Sequence, residues 1–250
     1  MKILALIPAR YDSTRFPGKP LASIHGKPMI QRVYEQCCKV FDNCYVATDD
    51  QRIYDKCIEI GAQVIMTSKQ HKSGTDRCRE ALDKIKGDWD VVINIQGDEP
   101  FIATEQLKQI IELFNDPNTD IATLVKPFTE QENIENPNSP KVVLGVDGKA
   151  LYFSRSVIPF LRGEQRELWQ AKHKYLKHIG LYGYRASVLR EITELGQSPL
   201  EIIESLEQLR WLENGYNIKT ATTLLESHAI DTPEDLENLL KLFKASFCTE

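Results

Sequence analysis

The strongest constraint on the fold is a regular alternation of apolar and amphipathic segments in residues 1–125. The runs 3–7 and 91–95 consist of apolar residues at nearly every position, which is typical of strands buried on both faces of a parallel sheet. Strand and helix alternate four times here, and this order predicts an α/β fold with a mostly parallel central sheet and helices on both faces. The predicted strands are 3–7, 44–47, 64–66, 91–95 and 121–125, and the predicted helices are 28–40, 50–61, 75–85 and 104–114.

The second half of the chain has a different pattern. Asp147 and Gly148 predict the turn of a hairpin, and the Asn-, Glu- and Pro-rich segment 129–140 predicts a mobile loop. Because no linker or repeat interrupts the chain, we expect a single domain over 1–250, with a small inserted substrate-binding lobe at about 129–185. The remaining predicted elements are the hairpin strands 142–146 and 150–153, the strands 179–184 and 218–223, the helix 199–213 and a last helix that Thr232 caps.

Composition excludes several classes of protein. The net charge is −5, which is unlike a typical nucleic-acid binder, and no apolar run reaches the roughly 18–20 residues that span a bilayer. We therefore expect neither nucleic acid nor membrane as a partner. The six cysteines match no zinc spacing, so they are expected to be reduced thiols of a cytoplasmic protein. They are Cys37, Cys38, Cys44, Cys57, Cys78 and Cys248.

A basic loop follows the first predicted strand. The segment 8–20 carries Arg10, Arg15 and Lys19 among small residues, a glycine and prolines that prevent helix formation. Such a loop suits a triphosphate, because backbone N–H groups and cationic side chains neutralise phosphate charge; a solvated basic loop is the alternative. The glycine spacings of dinucleotide-binding and Walker loops are absent, which argues against a dehydrogenase and a P-loop enzyme.

Two carboxylates stand where a metal ion could be held. Asp98 follows the buried strand 91–95, next to Gly97, and Asp231 precedes the last helix. Mg²⁺ usually takes one or two protein carboxylates and completes its shell with water and phosphate oxygens. The alternatives are an ordinary aspartate in a turn for Asp98 and a favourable charge at a helix end for Asp231.

Several other polar residues have two interpretations when each is taken alone. Ser73 and Arg77 lie between a strand and a helix, where they either meet a nucleotide or form an ordinary capped helix start. His178 and Tyr182 share one face of a predicted strand. His178 alone is as well explained by a structural hydrogen bond as by a ligand contact. Glu207 and Gln208 lie on an amphipathic helix, where polar residues normally face water.

The motifs as a set resemble those of the 3-deoxy-manno-octulosonate (Kdo) cytidylyltransferases. The opening motif, which runs from Ile7 to Leu21 and contains Ile-Pro-Ala-Arg-Tyr and Pro-Gly-Lys-Pro-Leu, is also similar to a wider group of nucleotidyltransferases that includes sialic-acid cytidylyltransferases. The later motifs select the Kdo branch, and they follow in family order. They are residues 26–30, 46–49, 73–77, 96–100, 150–155, 178–185, 206–210 and 231–236.

The resemblance implies a Mg²⁺-dependent enzyme that transfers the cytidylyl group of CTP to Kdo and releases pyrophosphate for lipopolysaccharide biosynthesis. It also implies the nucleotide-diphospho-sugar transferase fold and a cytoplasmic homodimer, with the inserted lobe at about 129–185 serving sugar binding and dimerisation. The open alternatives are another acidic-sugar acceptor (an 8-amino Kdo analogue or sialic acid) and a non-catalytic nucleotide-binding module. The resemblance implies that Asp98 and Asp231 are the metal ligands, and that they are catalytic together with Arg10 and Lys19. The implied nucleotide-binding residues are Pro8, Ala9, Arg10, Arg15, Lys19, Ser73, Arg77 and Asp98. The implied sugar-binding residues are Gln96, His178, Tyr182, Glu207 and Gln208.

Overall fold

The computed structural model describes residues 1–226 and 229–242, and these form two compact units. The first unit is Met1–Lys108 together with the described residues after 228, and the second is Gln109–Glu226. The expectation of one domain with an inserted lobe at about 129–185 stays a prediction.

A parallel sheet forms the centre of the first unit. Its strands run in the order β6, β1, β4, β5, and every neighbouring pair is parallel. Leu4, Leu6 and Val92 have no exposed surface, so the continuous apolar runs correspond to strands buried on both faces. The strands are β1 (Ile3–Ala9), β4 (Cys44–Thr48), β5 (Val64–Met66) and β6 (Val91–Asn94), and a separate two-stranded ribbon pairs β2 (Ser23–Ile24) with β3 (Lys27–Pro28).

Side-chain caps fix where the helices of this unit begin. The Asp50 carboxylate accepts the Arg52 N–H at 2.9 Å, and the Thr232 hydroxyl accepts the Asp235 N–H at 3.1 Å. Both are the caps that the sequence predicts. The helices are α1 (Met29–Cys38), α2 (Gln51–Glu59), α3 (Gly74–Lys84), α4 (Thr104–Glu112), which contains the division between the units, and α9 (Pro233–Leu242).

The second unit is built on a mixed sheet. Its central strand pair, β7 and β10, is antiparallel; β11 pairs with β7 in parallel, and the hairpin β8–β9 adds on through β8. Asp147 and Gly148 lie in the hairpin connection, where Gly148 has a φ of 74°, as predicted for this turn. The elements are β7 (Ile121–Pro127), β8 (Lys141–Leu144), β9 (Ala150–Ser154), β10 (Leu176–Arg185), β11 (Ile218–Thr222), α5 (Trp169–Lys172), α6 (Ala186–Ile192), α7 (Pro199–Glu204) and α8 (Gln208–Glu213).

The prediction of one continuous helix over 199–213 is wrong. The structure has two short helices, because Ser205 takes a left-handed conformation with a φ of 51° and ends α7. Long-range contacts stabilise this break: the Glu204 carboxylate accepts the Ser154 hydroxyl at 2.6 Å and the Arg155 N–H at 2.9 Å. Ile203, which the helical pattern would bury, is 79% exposed.

A row of lysines crosses the sheet of the second unit. Lys177 is directly paired with Lys126 on β7 and with Lys141 on β8, so the three side chains share one face. All three are buried. Glu132 bonds Lys177 and lies 3.7 Å from Lys126, and Glu226 contacts Lys177 at 2.7 Å and Lys126 at 2.8 Å. Carboxylates thus offset two of these buried charges, as buried charges require.

Two further features bear on the class of protein. Within residues 1–226 and 229–242, no helix is long and apolar enough to cross a membrane. Cys37, Cys38, Cys44 and Cys57 are free thiols, whereas Cys248 lies outside the described residues.

Candidate active site

The basic loop after β1 folds back on itself. The Tyr11 carbonyl accepts the N–H groups of Ser13 at 3.0 Å and Gly18 at 2.9 Å. Gly18 has a φ of 72°, and a Cβ there would lie 3.0 Å from the Tyr11 ring, so only glycine suits this position. The loop therefore returns to the sheet edge and starts a short 3₁₀ helix at Lys19.

The N-terminus of α3 lies at the same cavity. Ser73 is its N-cap and accepts the Asp76 N–H at 3.1 Å, which confirms a capped helix start. A helix N-terminus favours anions because its first N–H groups lack intrahelical partners. Arg77, in the first turn, is held by the Thr67 hydroxyl at 2.6 Å and by the Asp49 carboxylate at 2.7 Å.

His71 is held at the cavity by a carboxylate. Its Nε2 contacts Glu80, which also accepts the Ser68 N–H at 2.8 Å and pairs with Lys84 at 2.6 Å. Burial alone would raise the pKa of Glu80, but the bonds from Lys84, Ser68 and His71 outweigh burial and lower that pKa to about 2. Glu80 is therefore charged at neutral pH and fixes the orientation of the imidazole.

The two predicted metal carboxylates converge on one cation. Lys19 Nζ lies 2.6 Å from Asp98 Oδ2 and 3.5 Å from Asp231 Oδ1. Arg15 contacts Asp231 Oδ1 at 3.0 Å. The Ile230 N–H donates to the Asp98 carbonyl at 2.9 Å, which brings the segment before α9 to the turn after β6.

Gly97 allows that turn to approach the basic loop. A Cβ at this position would lie 2.8 Å from the backbone oxygen of Pro8, a contact that only a movement of the main chain would relieve. The sequence places a glycine here for close approach, and the structure identifies its neighbour as the end of β1.

All ten predicted site residues of the first unit line a single cavity of about 270 Å³. Five cations and only two carboxylates surround it, so its charge favours an anionic ligand. The basic loop, the N-terminus of α3 and the turn after β6 meet here, at the carboxyl ends of parallel strands, where α/β sheets bind ligands. The lining residues are Pro8, Ala9, Arg10, Ser13, Thr14, Arg15, Lys19, Pro20, His71, Lys72, Ser73, Gly74, Arg77, Gln96, Gly97, Asp98 and Asp231.

His178, in the second unit, has a neutral side chain. Its Nε2 lies 3.1 Å from the Thr123 hydroxyl, and its ring packs edge-on against Phe153 with centroids 5.2 Å apart. Loss of solvation lowers the pKa of His178 from 6.5 to about 3. Because the Thr123 hydroxyl also lies 2.8 Å from the Leu181 carbonyl, its proton is used there, and His178 Nε2–H becomes the donor to Thr123. The Nδ1 atom is then an acceptor.

Tyr182 and Gln208 carry buried polar atoms. Among the described residues, Tyr182 Oη and Gln208 Nε2 have no hydrogen-bond partner, although both residues are less than 9% exposed. The Tyr182 ring lies 5.2 Å from His178 and packs edge-on against Trp211 at 5.2 Å. Burial raises the pKa of Tyr182, and the nearby charge of Glu207 adds to that shift.

The solvent exposure of Gln208 that the helical pattern predicts when taken alone is wrong. The amphipathic pattern over 199–213 would leave it in water, but Gln208 is 5% exposed because the break at Ser205 starts a new helix with a different face inward. Glu207, just before that helix, is partly buried. Gln208 is three positions before Trp211 and therefore shares a helix face with it.

Several residues that orient these groups are not predictable from the sequence one residue at a time. Asp49 and Thr67 orient Arg77, Glu80 orients His71, and Thr123 orients His178. Asp49 stands at the end of β4, so its position after a buried strand was the available signal. The others carry no local signal, since each acts through a contact distant in sequence.

Similarity to a known protein family defines the class of enzyme to which this chain belongs. Residues 4–242 match the family model described as "Cytidylyltransferase", which covers nearly the whole chain and includes both carboxylates and the basic loop. The chain is thus a nucleotidyltransferase of the cytidylyltransferase class.

The relatives then identify the family. The chain is 60% identical to the 3-deoxy-manno-octulosonate cytidylyltransferase of Parabacteroides distasonis, over 96% of this chain and 97% of the relative. It is 52% identical to that of Porphyromonas gingivalis, over 98% and 97%. The solved structure of CMP:2-keto-3-deoxy-manno-octonic acid synthetase complexed with CTP superimposes with a TM-score of 0.91 at 41% identity, covering 99% of this chain and 100% of the other. The chain belongs to the 3-deoxy-manno-octulosonate cytidylyltransferases, and the predicted α/β fold is confirmed.

Proposed function

We propose that this chain transfers the cytidylyl group of CTP to the anomeric hydroxyl of 3-deoxy-manno-octulosonate, with release of pyrophosphate. Membership of the family supports the reaction. The observation that carries the residue roles is the convergence of Asp98 and Asp231 on one cation, inside a cavity with an excess of positive charge. The product CMP-Kdo serves lipopolysaccharide biosynthesis.

The cations of the basic loop bind the triphosphate in this proposal. Arg10, Arg15 and Lys19 line the cavity from one side, and the N-terminus of α3 lines it from another. Attack at the α-phosphorus makes pyrophosphate the leaving group, and its growing charge is offset by these side chains. Such a reaction depends mainly on positioning and charge neutralisation.

Asp98 and Asp231 would hold Mg²⁺. The two carboxylates, which share the Lys19 ammonium, suit Mg²⁺. This ion commonly takes one or two protein carboxylates and completes its shell with substrate phosphates. Among the described residues no cluster of three or more His, Cys, Asp or Glu side chains suits a metal, so these two carboxylates are the protein ligands that we propose. When bound, Mg²⁺ would neutralise phosphate charge and lower the pKa of the attacking hydroxyl.

Polar groups of the second unit would bind the sugar. His178 offers an acceptor at Nδ1, and Tyr182 Oη and Gln208 Nε2 are buried atoms without a partner among the described residues. Buried polar groups normally find a partner, and sugar hydroxyls would supply one. Glu207, and Gln96 of the first unit, are assigned to the sugar by the match of their motifs to the family.

We also propose a cytoplasmic homodimer. Free thiols such as Cys37 and Cys44 support a reducing compartment. For the interface, exposed aromatic side chains of the predicted lobe would be candidates, but Phe153 and Trp169 are 0% and 2% exposed because both pack into the core. Phe160 is 73% exposed, and Ile202 and Ile203 are adjacent exposed apolar residues.

The proposal is tested by pyrophosphate release from each nucleoside triphosphate, with Kdo, its 8-amino analogue and sialic acid as acceptors. We expect release with CTP and Kdo. Release with only the 8-amino analogue or sialic acid would move the acceptor to that sugar. No release with CTP and any of the three would contradict catalysis and favour a nucleotide-binding module.

The metal role is tested in the same assay by Asp98→Asn. We expect turnover to fall about 100-fold or more, the scale of losing one charge-stabilising group. Asp88→Asn, an exposed aspartate outside the cavity, is the matched control and should retain normal turnover. Near-normal turnover in the Asp98 variant would overturn the metal assignment.

A further inference from the structure

The ammonium group of Lys19 is bonded to the proposed metal carboxylates. Its Nζ is 2.6 Å from Asp98 Oδ2 and 3.5 Å from Asp231 Oδ1, and the side chain is only 13% exposed. A lysine that serves only as a phosphate ligand would extend into the cavity as a solvated, flexible charge. Lys19 instead lies between two anions at the wall of the cavity.

The two carboxylates are positioned by the backbone and not by Lys19 alone. The Ile230 N–H donates to the Asp98 carbonyl at 2.9 Å, and the Asp231 N–H donates to the Asp235 carboxylate at 3.0 Å. The main chain that carries both carboxylates is therefore held by bonds that do not involve the ammonium. If Lys19 left with no other cation in its place, only the Arg15 contact with Asp231 at 3.0 Å would, among the described residues, offset the charge of the two neighbouring carboxylates, and Asp98 would lose its cation.

A divalent cation and Lys19 compete for the same oxygens. Mg²⁺ binds oxygen at about 2.0–2.1 Å, so an ion on Asp98 Oδ2 would lie close to the ammonium that is 2.6 Å from the same oxygen. Two cations at neighbouring positions also repel each other. One of them must give way, and Lys19 is on a flexible four-carbon stem in a cavity suited to phosphate.

We infer that Lys19 is an exchangeable counter-ion: it holds Asp98 and Asp231 before the metal arrives, and a divalent cation displaces it towards the triphosphate. This inference rests on the proposed metal role of the two aspartates. It implies that metal and nucleotide promote each other's binding, since the displaced ammonium gains a new partner only when phosphate is present. The enzyme would thus bind the metal weakly until CTP is bound.

The test measures binding of Mn²⁺ alone to the nucleotide-free enzyme, by electron paramagnetic resonance of the unbound ion. Lys19→Met should bind Mn²⁺ about tenfold or more tightly than the natural protein, within the usual range of coupling between sites. Lys19→Gln is a second variant in case the first fails to fold. Thermal unfolding shows whether each of the two variants is folded.

A matched control separates exchange from a general loss of positive charge. Lys72 is exposed, lines the same cavity and contacts neither aspartate among the described residues, so Lys72→Met should change Mn²⁺ affinity far less. Equal effects of the Lys19 and Lys72 variants, or no tightening in the Lys19 variants, would overturn the exchange. Asp98→Asn tests separately the premise that the two aspartates hold the metal. Unchanged Mn²⁺ binding in that variant would refute the metal site itself.

Discussion

His178 shows how a single residue can keep a neutral hydrogen-bonding group inside the protein. Its contacts with Thr123, Phe153 and Tyr182 remove water from the imidazole, and this loss of solvation keeps its pKa near 3. A charged imidazole would have to shed its proton before it could accept a hydroxyl at Nδ1. The imidazole is therefore neutral, with Nδ1 free to act as an acceptor, at pH values well above 3.

The low pKa of His178 predicts a loss of stability in mild acid. The unfolded chain takes up a proton at the ordinary pKa of 6.5, whereas the folded protein does so only near 3. Between these values the unfolded state binds more protons, so stability falls as pH falls. From pH 6.5 to 5 the natural protein should lose up to about 2 kcal/mol more than His178→Asn, at about 1.4 kcal/mol for each pH unit.

Urea unfolding at several pH values measures this difference. His25→Asn replaces an exposed histidine and should keep the pH dependence of the natural protein. Parallel curves for the natural protein and the His178 variant would show that this imidazole is not desolvated.

At the residue scale, the sequence predicted which residues line the cavity better than it predicted the burial of residues such as Gln208. All ten predicted residues of the first unit line the cavity, because their motifs lie at strand ends that a parallel sheet brings to one edge. The burial of Gln208 was not predictable from helical periodicity. It depends on the break at Ser205, which is stabilised by side chains about 50 positions earlier.

At the scale of helices and strands, bounds set by local sequence were predictable, and bounds set by distant contacts were not. Strands and helices of the first unit begin and end within a few residues of their predicted bounds, since local caps such as Asp50 and Thr232 determine them. The helix predicted over 199–213 fails because Glu204 bonds to the end of β9 instead of continuing a helix. A contact of this kind lies outside any window of local sequence.

The lysine row predicts that Glu132 anchors the 129–140 segment to the sheet. Burial alone would raise the pKa of Glu132, but Lys177 and the Thr129 N–H lower it to about 2. Glu132→Gln should lower the free energy of unfolding at pH 7 by about 2 kcal/mol, less than for a fully buried pair because Glu132 is partly exposed. This contribution is present above the ordinary pKa of 4.5 and is lost as pH falls towards 2.

Chemical denaturation at pH 7 and at pH 3 checks this expectation. Glu130→Gln changes an exposed glutamate of the same segment and serves as the matched control. If both variants unfold with the same free energy at pH 7, the anchor assigned to Glu132 does not exist.

At the scale of the whole molecule, the exposed apolar residues of α7 bear on assembly. Ile202 and Ile203 are 60% and 79% exposed, and adjacent large apolar side chains on a surface often mark an interface. We expect sedimentation equilibrium to give twice the chain mass of 28.6 kDa, and Ile203→Asp to give the mass of a single chain. Ile58→Asp, at a comparably exposed position on α2, should remain dimeric. A natural protein that sediments at 28.6 kDa would contradict the dimer.

The narrow gap at Gly97 limits how this enzyme can diverge. Every replacement adds a Cβ that would lie 2.8 Å from the Pro8 carbonyl oxygen, and because that neighbour is main chain, no rotamer change relieves the clash. A laboratory lineage selected for a new sugar acceptor would keep glycine at this codon. Its adaptive substitutions would accumulate elsewhere, for example around His178 and Gln208, the residues proposed to bind the sugar, so the turn at Gly97 would be inherited unchanged while acceptor preference drifts.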